Sequence, residues 1–422
     1  MLTDWKTAIL REWQQRNSNV QPSSLFPLMT HAFAAHEIVA AVDTLLSGQL
    51  TMAHTVREFE TRFAQFVGTK YAVMVNSGSS ANLLAMAVAT NPMRPKRLQA
   101  GDEVLVPAVC WSTSVWPIIQ MGLKPVFVDV DPVTLNADPI SLRKCITGRT
   151  RGIFAVHVLG NSAPLTDIQQ FVKEHDLILI EDTCESLGST FAGRYLGSMG
   201  DFGTFSFYFS HHLTTGEGGM VVCNDPADHD LLLCLRAHGW SRPLSNHKAV
   251  ERENPAVDPR FLFVNVGYNL RPMEVQAAFG LCQLEKLATM NAHRCDNKAR
   301  LTASLTAHPR WKIQFSFPVP AKDCEPAWFG FPCLLNPDLE RHHRQYLEHL
   351  SANGVENRPI VSGNFVRQPA LKLFGIEGDP QAFPGAEAIN HRGFFIGLHS
   401  EKIADSMIER LTNIMLGYEF KQ

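Results

Sequence analysis

The stretch YAVMVNSGSSANLLAMAVAT, residues 71–90, decides the fold class, because a strand, a turn and a helix follow one another directly in it. YAVMV (71–75) is a short β-branched run, NSGSSAN (76–82) is rich in glycine and serine, and LLAMAVAT (83–90) has high helix propensity. Further apolar runs alternate with turns or helical patterns along the chain. They are EVLVPA (103–108), PVFVDVD (125–131), GIFAVHVLG (152–160), LILIED (177–182), TFSFY (204–208) and GMVVC (219–223).

Apolar strands that alternate with helices predict a largely parallel sheet covered on both faces, which is the α/β class. Ligands of such sheets bind beyond the carboxyl ends of the strands. A binding site is therefore expected among the polar residues that follow these runs. They include Asn76, Ser77, Gly78, Asp182 and Glu185.

The length of 422 residues exceeds one typical core and predicts a large domain with a smaller one. Residues 270–307 have the pattern of a long helix, with Pro272 near its start. Beyond this helix the composition changes: proline becomes more frequent, and the aromatic run WFGF (328–331) follows. The predicted organisation is an N-terminal helical segment (1–30), a large cofactor-binding domain (31–307) and a small C-terminal domain (308–422).

Charge and hydropathy exclude two classes of protein. Lysine and arginine number 38 against 41 acidic residues, so the net charge of −3 gives no basic excess for nucleic acid. No run approaches the roughly 20 uninterrupted apolar residues of a membrane-spanning helix. The first residues, MLTDWKTAILREWQQR, carry charges within an apolar pattern, which predicts an amphipathic helix rather than a signal peptide. A cytoplasmic location is the resulting expectation.

The cysteines argue against a disulfide framework or a zinc ribbon, because their number is odd and none form a CxxC pair. No metal site is predicted either: His211 and His212 are adjacent, and no carboxylate has the HExxH spacing. The nine cysteines are at positions 110, 145, 184, 223, 234, 282, 295, 324 and 333.

Several single residues have both a structural and a functional interpretation. Asp182 ends an apolar run and could cap a following helix, or could pair with a protonated ring nitrogen. NSGSSAN (76–82) could be a plain helix cap or an anion site, with Ser206 as an ordinary strand-end hydroxyl or a second phosphate ligand. Trp111 could stack on a flat ring, whereas Trp116 is expected in the core. His238 alone is more typical of a structural group.

The order of several short motifs along the chain is specific for one family. SGSSANL, PAVCWST, FVDVD, EDTCESLGS, SFYFSHHLTTGEGG, HGWSR and GYNLRP together resemble the DegT/DnrJ/EryC1/StrS family of sugar-modifying enzymes that use vitamin B6. The resemblance is close over about residues 30–300. It implies the type I aminotransferase fold, with a mostly parallel central sheet, a smaller α+β C-terminal domain and a homodimer with its sites at the subunit interface.

The resemblance also shows what is missing. In most of the family a lysine holds pyridoxal phosphate as a Schiff base, and here His211 stands in its place. An imidazole can move a proton but cannot form a stable imine with an aldehyde. The replacement is similar to that in the nucleotide-sugar 3-dehydratases of the family. It implies pyridoxal or pyridoxamine phosphate held without a covalent bond.

The implied reaction removes the C3 hydroxyl of a GDP-linked 4-keto-6-deoxy sugar during deoxysugar and lipopolysaccharide biosynthesis. L-glutamate would restore pyridoxamine phosphate. The resemblance gives each matching residue a role. The cofactor phosphate would be bound by Gly78, Ser79, Ser206 and the partner's Asn269. The cofactor ring would be bound by Trp111, Asp182 and Glu185. His211, with His238, would be catalytic, and Arg271 would bind a carboxylate of the substrate.

Three other readings compete. A related branch carries a cysteine-bound [2Fe–2S] cluster, but residues 239–281 contain no cysteine, so no iron–sulfur cluster is expected. An ordinary sugar aminotransferase would need a lysine elsewhere, and Lys248 lies well outside the SFYFSHH phrase. A non-catalytic relative would have no reason to keep Asp182, Trp111 and the phosphate loop together.

Overall fold

The structure is a computed structural model that describes residues 4–17, 24–30 and 33–420. The segment before the main sheet is helical, as the N-terminal pattern predicts. It consists of α1 (Trp5–Asn17), α2 (Ala35–Leu46) and α3 (His54–Val67).

The main sheet is formed by the apolar runs of the sequence and the helices between them. In chain order the elements are β1 (Tyr71–Val75), α4 (Gly78–Ala89), β2 (Glu103–Pro107), α5 (Ser112–Gln120), β3 (Lys124–Val128), α6 (Pro139–Cys145), β4 (Thr150–Val156), α7 (Leu165–His175), β5 (Ile178–Asp182), β6 (Thr190–Phe191), β7 (Arg194–Tyr195), β8 (Phe202–Ser206) and β9 (Gly219–Cys223).

Seven of these strands pair in the order β1-β9-β8-β5-β4-β2-β3. Only β9 runs against the others, since it is antiparallel to both β1 and β8. The prediction of a mostly parallel α/β sheet is therefore confirmed. Several runs extend past the strands that they contain. PVFVDVD (125–131) and GIFAVHVLG (152–160) outlast β3 and β4, and TFSFY predicts a strand to Tyr208, whereas β8 ends at Ser206. The chain turns there, with the His211 N–H bonded to the Tyr208 carbonyl, and Tyr208 and Phe209 are exposed.

Alternate residues of each strand face opposite sides of this sheet, as the two-residue period requires. Ile178 and Ile180 of β5 pack in one core with α4 and α5, whereas Leu179 packs in another with α6 and α7. Both faces of the sheet are therefore covered, as the α/β class predicts.

The rest of the chain builds a long helix and a second sheet. The elements are α8 (Pro226–Arg236), α9 (His247–Glu253), α10 (Glu274–Ala307), β10 (Phe315–Ser316), β11 (Cys324–Glu325), β12 (Phe331–Leu335), α11 (His343–Ala352), β13 (Asn357–Arg358), α12 (Ala370–Leu373), α13 (Pro384–Arg392), β14 (Gly393–Ile396) and α14 (Asp405–Met415). β10, β12, β14 and β13 form a four-stranded sheet.

The C-terminal region packs against both the N-terminal segment and the main sheet. Phe26 packs in its core, and the Phe365 N–H bonds to the Ala108 carbonyl at the end of β2. The division at 30/31 and 307/308 into domains stays a prediction. None of the described helices is long and apolar enough to cross a membrane.

Candidate active site

The predicted site residues come from strands that end at one edge of the main sheet. β1 leads into Gly78, β5 ends at Asp182 and β8 ends at Ser206. These three strands run in the same direction, because each of β1 and β8 is antiparallel to β9 and β5 is parallel to β8. The edge is thus the one where α/β sheets bind ligands.

Asp182 is a buried carboxylate, only 4 % exposed. Its Oδ2 accepts hydrogen bonds of 2.8 Å each from Asn82 Nδ2 and Ser114 Oγ. Its Oδ1 accepts one of 3.2 Å from the Cys184 N–H. No cationic side chain of the described residues forms an ion pair with it, and no helix begins there, so the helix-cap interpretation is wrong. A buried carboxylate in this position suits a cationic ligand group.

A hydrogen-bonded chain fixes the orientation of that carboxylate. The Thr204 hydroxyl on β8 donates to Asn82 Oδ1 at 2.6 Å, and the Asn82 amide donates to Asp182. Neither Thr204 nor Asn82 was a predicted site residue. Asn82 lies four residues after Gly78, hence on the same face of α4, and that spacing was the available signal.

Gly78 and Ser206 meet at the start of α4. A Cβ added to Gly78 would lie 2.8 Å from Ser206 Oγ and closer still to its Cβ, so only glycine fits. Ser77 caps the helix, accepting from the Ser80 N–H at 3.1 Å, and Ser79 is exposed beside them. The cap is therefore confirmed, and the anion site stays a prediction that rests on the attraction of free N–H groups at a helix start for anions.

His211 lies in the loop after β8, with one edge exposed. Its Nδ1 is 2.6 Å from the Cys184 carbonyl oxygen, which can only accept, so Nδ1 carries the hydrogen. Nε2 is then the free basic nitrogen of the neutral ring. Burial lowers the pKa of His211 to about 4, against the opposing effects of the Cys184 carbonyl and Asp182. At neutral pH the side chain is a base.

His212 has a different hydrogen-bond partner from His211. It is buried, and its Nε2 lies 2.9 Å from the Ala327 carbonyl oxygen. The two adjacent imidazoles therefore do not bind one common group, as expected. No group of three or more potential metal ligands occurs among the described residues.

Glu185 is the second carboxyl group of the site. The Leu159 N–H donates to its Oε2 at 3.0 Å. Burial, followed by the negative charge of Asp182, raises the pKa of Glu185 from 4.5 to about 7, while the Leu159 hydrogen bond opposes the rise. Near neutral pH, Glu185 can therefore be either donor or acceptor.

Glu185→Gln should raise the melting temperature of the unliganded protein by a few degrees at pH 8 and by less at pH 5. The unfolded chain releases this proton near pH 4.5 but the folded chain keeps it to about pH 7, so stability falls as pH rises between those values. Glutamine cannot ionise and escapes that loss. The melting temperatures of both proteins are measured by thermal unfolding from pH 4.5 to 8. A difference in melting temperature that does not grow with pH would contradict the prediction.

Trp111 is the last residue before α5, and 57 % of it is exposed. Three residues later, in the first turn of α5, Ser114 donates a hydrogen bond to Asp182. Trp111 is thus one helical turn from a residue that binds that carboxylate. Trp116, in contrast, packs edge-on against Phe365 at 5.1 Å, as expected of a core residue. An indole left exposed at a sheet edge is free to stack on a planar ligand.

The remaining predicted residues form a second group. Arg271 Nε donates to Asn269 Oδ1 at 3.0 Å, and the Arg271 guanidinium lies 5.8 Å from the Trp240 ring centroid. The His238 ring is 4.9 Å from Trp240, and its backbone is left-handed with φ 64°. Among the described residues, no hydrogen bond or ring contact joins this group to His211.

Comparison with known proteins agrees with the predicted fold and family. The DegT/DnrJ/EryC1/StrS aminotransferase family matches residues 32–415. The GDP-4-keto-6-deoxy-D-mannose 3-dehydratase of Escherichia coli O55:H7 is 38% identical over 385 residues, 90% of this chain and 97% of that protein.

Two solved structures are similar throughout. The E. coli GDP-4-keto-6-deoxy-D-mannose-3-dehydratase with bound hydrated PLP has a TM-score of 0.86 and 37% identity, covering 93% of this chain and 99% of that one. A GDP-4-keto-6-deoxymannose-3-dehydratase with a trapped PLP-glutamate geminal diamine has a TM-score of 0.86 and 36% identity, covering 92% and 100%. The predicted type I aminotransferase fold is confirmed, and the chain belongs to the DegT/DnrJ/EryC1/StrS aminotransferase family.

Proposed function

We propose that this protein is a nucleotide-sugar 3-dehydratase that uses pyridoxamine phosphate to remove the C3 hydroxyl of a 4-keto-6-deoxy sugar. One observation carries the proposal. His211, the residue in place of the family's lysine, is held with Nδ1 protonated and Nε2 free, which is the arrangement of a general base.

The residues at the sheet edge fit this cofactor. Asp182 is a buried carboxylate without a cation, and a protonated pyridine nitrogen would supply one. The glycine at position 78 leaves room beside Ser206 for a phosphate at the start of α4, and Trp111 would stack on the ring. When bound, the cofactor supplies an amine that condenses with the sugar ketone and a ring that takes up electrons.

Gly78→Ala should weaken binding of pyridoxal phosphate by tenfold or more, roughly the 1.4 kcal/mol that a factor of ten represents. The added methyl must displace Ser206, one of the proposed phosphate ligands. Fluorescence titration with the cofactor measures the change. Gly148→Ala is the matched control, because nothing lies within 4 Å of a Cβ there. Equal affinity of the two variants would contradict the role of the Gly78 turn.

The protein's own contribution is a proton path. His211 would take a proton at Nε2 and then give it to the oxygen that leaves C3, which makes that oxygen depart as water. Asp182 keeps its charge beside the ring throughout, and Glu185 would bind on the ring-hydroxyl side. A lysine would bind the aldehyde form covalently, whereas histidine leaves the elimination path open.

The balanced reaction consumes glutamate. The C3–O bond of the sugar breaks, the C4 ketone is regenerated by hydrolysis, and the amino nitrogen leaves as ammonia. Glutamate returns an amino group to the cofactor and is converted to 2-oxoglutarate. The sugar thus loses one oxygen atom and gains no nitrogen.

Substrate binding is assigned to the second group of residues. Arg271 would bind a carboxylate, since its guanidinium can do so through two hydrogen bonds, and His238 would support the site. In a homodimer Asn269 would reach the phosphate of the other subunit, which accounts for its exposure in one chain. GDP as the nucleotide, the homodimer and a cytoplasmic location all stay predictions.

The aminotransferase alternative has no observation in its favour. Lys248 is exposed on α9, and among the described residues no hydrogen bond or ion pair joins that helix to Asp182 or His211.

The test is incubation with pyridoxamine phosphate, glutamate and separate GDP-, dTDP- and CDP-linked 4-keto-6-deoxy sugars, followed by mass spectrometry. We expect a product that is one oxygen atom lighter, formed best from the GDP sugar. A product with an amino group in place of the ketone would identify an aminotransferase. Absence of any product, together with no binding of cofactor, would indicate a non-catalytic relative.

A further inference from the structure

The aromatic run WFGF (328–331) packs against the loop that carries His211. The ring centroid of Phe329 is 5.1 Å from that of His211, with the planes at 60°. It is also 5.6 Å from the His212 ring, at 61°. Phe329, which precedes β12, therefore contacts both imidazole rings.

The backbone of Phe329 is held on both sides. Its N–H donates to the Leu159 carbonyl at 3.1 Å, and its own carbonyl accepts from Arg294 Nη1 at 2.8 Å. Arg294 Nη1 also donates to the Leu398 carbonyl at 2.7 Å. Gly160 leaves room for the close passage of Ala327, since a Cβ there would overlap the Ala327 carbonyl.

Arg294 is 2 % exposed and makes no ion pair in the part of the chain that the structure describes. A buried guanidinium without a carboxylate is costly unless its N–H groups are bonded. Nη1 of Arg294 is bonded to the Phe329 and Leu398 carbonyls, whereas its Nε has no hydrogen-bond partner among the described residues. Arg294 thus links α10 to the backbone of the Phe329 segment.

We infer that Phe329 is a positioning residue, which fixes the ring plane of His211 and so directs Nε2 toward the reacting atoms. The Cys184 carbonyl fixes which nitrogen carries the hydrogen, but a single hydrogen bond still lets the ring tilt about it. The edge-on contact with Phe329 opposes that tilt, and it is nearer than the edge-on contact with Tyr208, whose ring centroid is 6.1 Å from that of His211. The inference rests on the proposed function of His211.

The chain offers a matched set of variants. Phe329→Leu keeps apolar volume but removes the ring, and Phe329→Tyr keeps the ring, with room for a hydroxyl because Phe329 is partly exposed. Phe395→Leu is the control: its ring touches Phe329 at 6.2 Å but has no ring contact with His211. Melting temperatures establish that all three fold.

With the sugar that wild type dehydrates, Phe329→Leu should lower kcat by about 10- to 100-fold, the scale of a misplaced catalytic group, with KM within about twofold. Phe329→Tyr should restore kcat, and Phe395→Leu should leave it near wild type. Equal loss of kcat in Phe329→Leu and Phe395→Leu, or a loss confined to KM, would overturn the inference.

A second readout needs no turnover. In protein with nitrogen-15 histidine, the His211 signals are assigned by their absence in His211→Asn. We expect sharp signals of the Nδ1-protonated form in wild type and Phe329→Tyr, and signals of the same tautomer that are shifted or exchange-broadened by ring motion in Phe329→Leu. Unchanged His211 signals in Phe329→Leu would overturn the inference. If wild type dehydrates no sugar but the His211 signals change in Phe329→Leu, the proposed function is wrong, whereas the orienting effect of Phe329 on His211 is supported.

Discussion

Replacing His211 by lysine or asparagine should reduce C3 dehydration by about 10²- to 10⁴-fold, the usual contribution of a general acid–base group. Asparagine can occupy the site but has no basic nitrogen. Lysine is a base, yet its amine would bind the aldehyde form of the cofactor covalently and favour transfer of the amino group to the sugar. The rate of product formation, followed by mass spectrometry with saturating cofactor and glutamate, measures both effects.

His293→Asn is the matched control for this experiment. Its imidazole is also partly buried, and its Nδ1 is 3.0 Å from a backbone carbonyl oxygen, that of Ser400. The control variant should dehydrate at close to the wild-type rate. Full dehydration by His211→Lys would refute the role assigned to the histidine. A similar loss in His293→Asn would attribute the effect to folding instead.

Asp182→Asn should lower the rate by about 10²- to 10³-fold, as expected for loss of a preorganised charge at a reacting group. The amide oxygen can still accept from Asn82 and Ser114, so the buried hydrogen bonds largely persist. What disappears is the negative charge that would keep the ring nitrogen protonated. Absorbance and fluorescence titrations should also show weaker cofactor binding.

Asp129→Asn provides the comparison for that variant. Asp129 follows β3 and accepts two backbone hydrogen bonds of 2.9 Å, from Gly385 and Ala386. Its replacement should alter stability but leave cofactor affinity unchanged. If Asp182→Asn binds cofactor and turns over like wild type, the ring nitrogen is not the partner of Asp182.

The sequence predicted the sheet well because its strands are buried on both faces. Such strands are continuous apolar runs, and the polar residues after them mark the carboxyl edge. Asp182, Gly78 and Ser206 could be assigned to one site on that basis, although their roles came from the family resemblance. The end of β8 was missed because Tyr208 has the type of a strand residue, although its side chain is exposed.

The contacts that orient the site could not be read from the sequence. Asn82 and Thr204 are 122 residues apart, and only the packing of α4 against β8 brings the hydroxyl to the amide. Phe329 reaches His211 from the second sheet region, through a backbone that α10 and the turn after β4 hold in place. Long-range contacts of this kind leave no local period or spacing.

The fate of the glutamate nitrogen tests the central claim most directly. The protein is incubated with cofactor, nitrogen-15 glutamate and a GDP-linked 4-keto-6-deoxy sugar, and both the sugar and the free ammonia are analysed. A dehydratase with histidine at position 211 should release the label as ammonia, in step with a sugar that has lost one oxygen atom. Label retained in the sugar as a C4 amine would contradict the account.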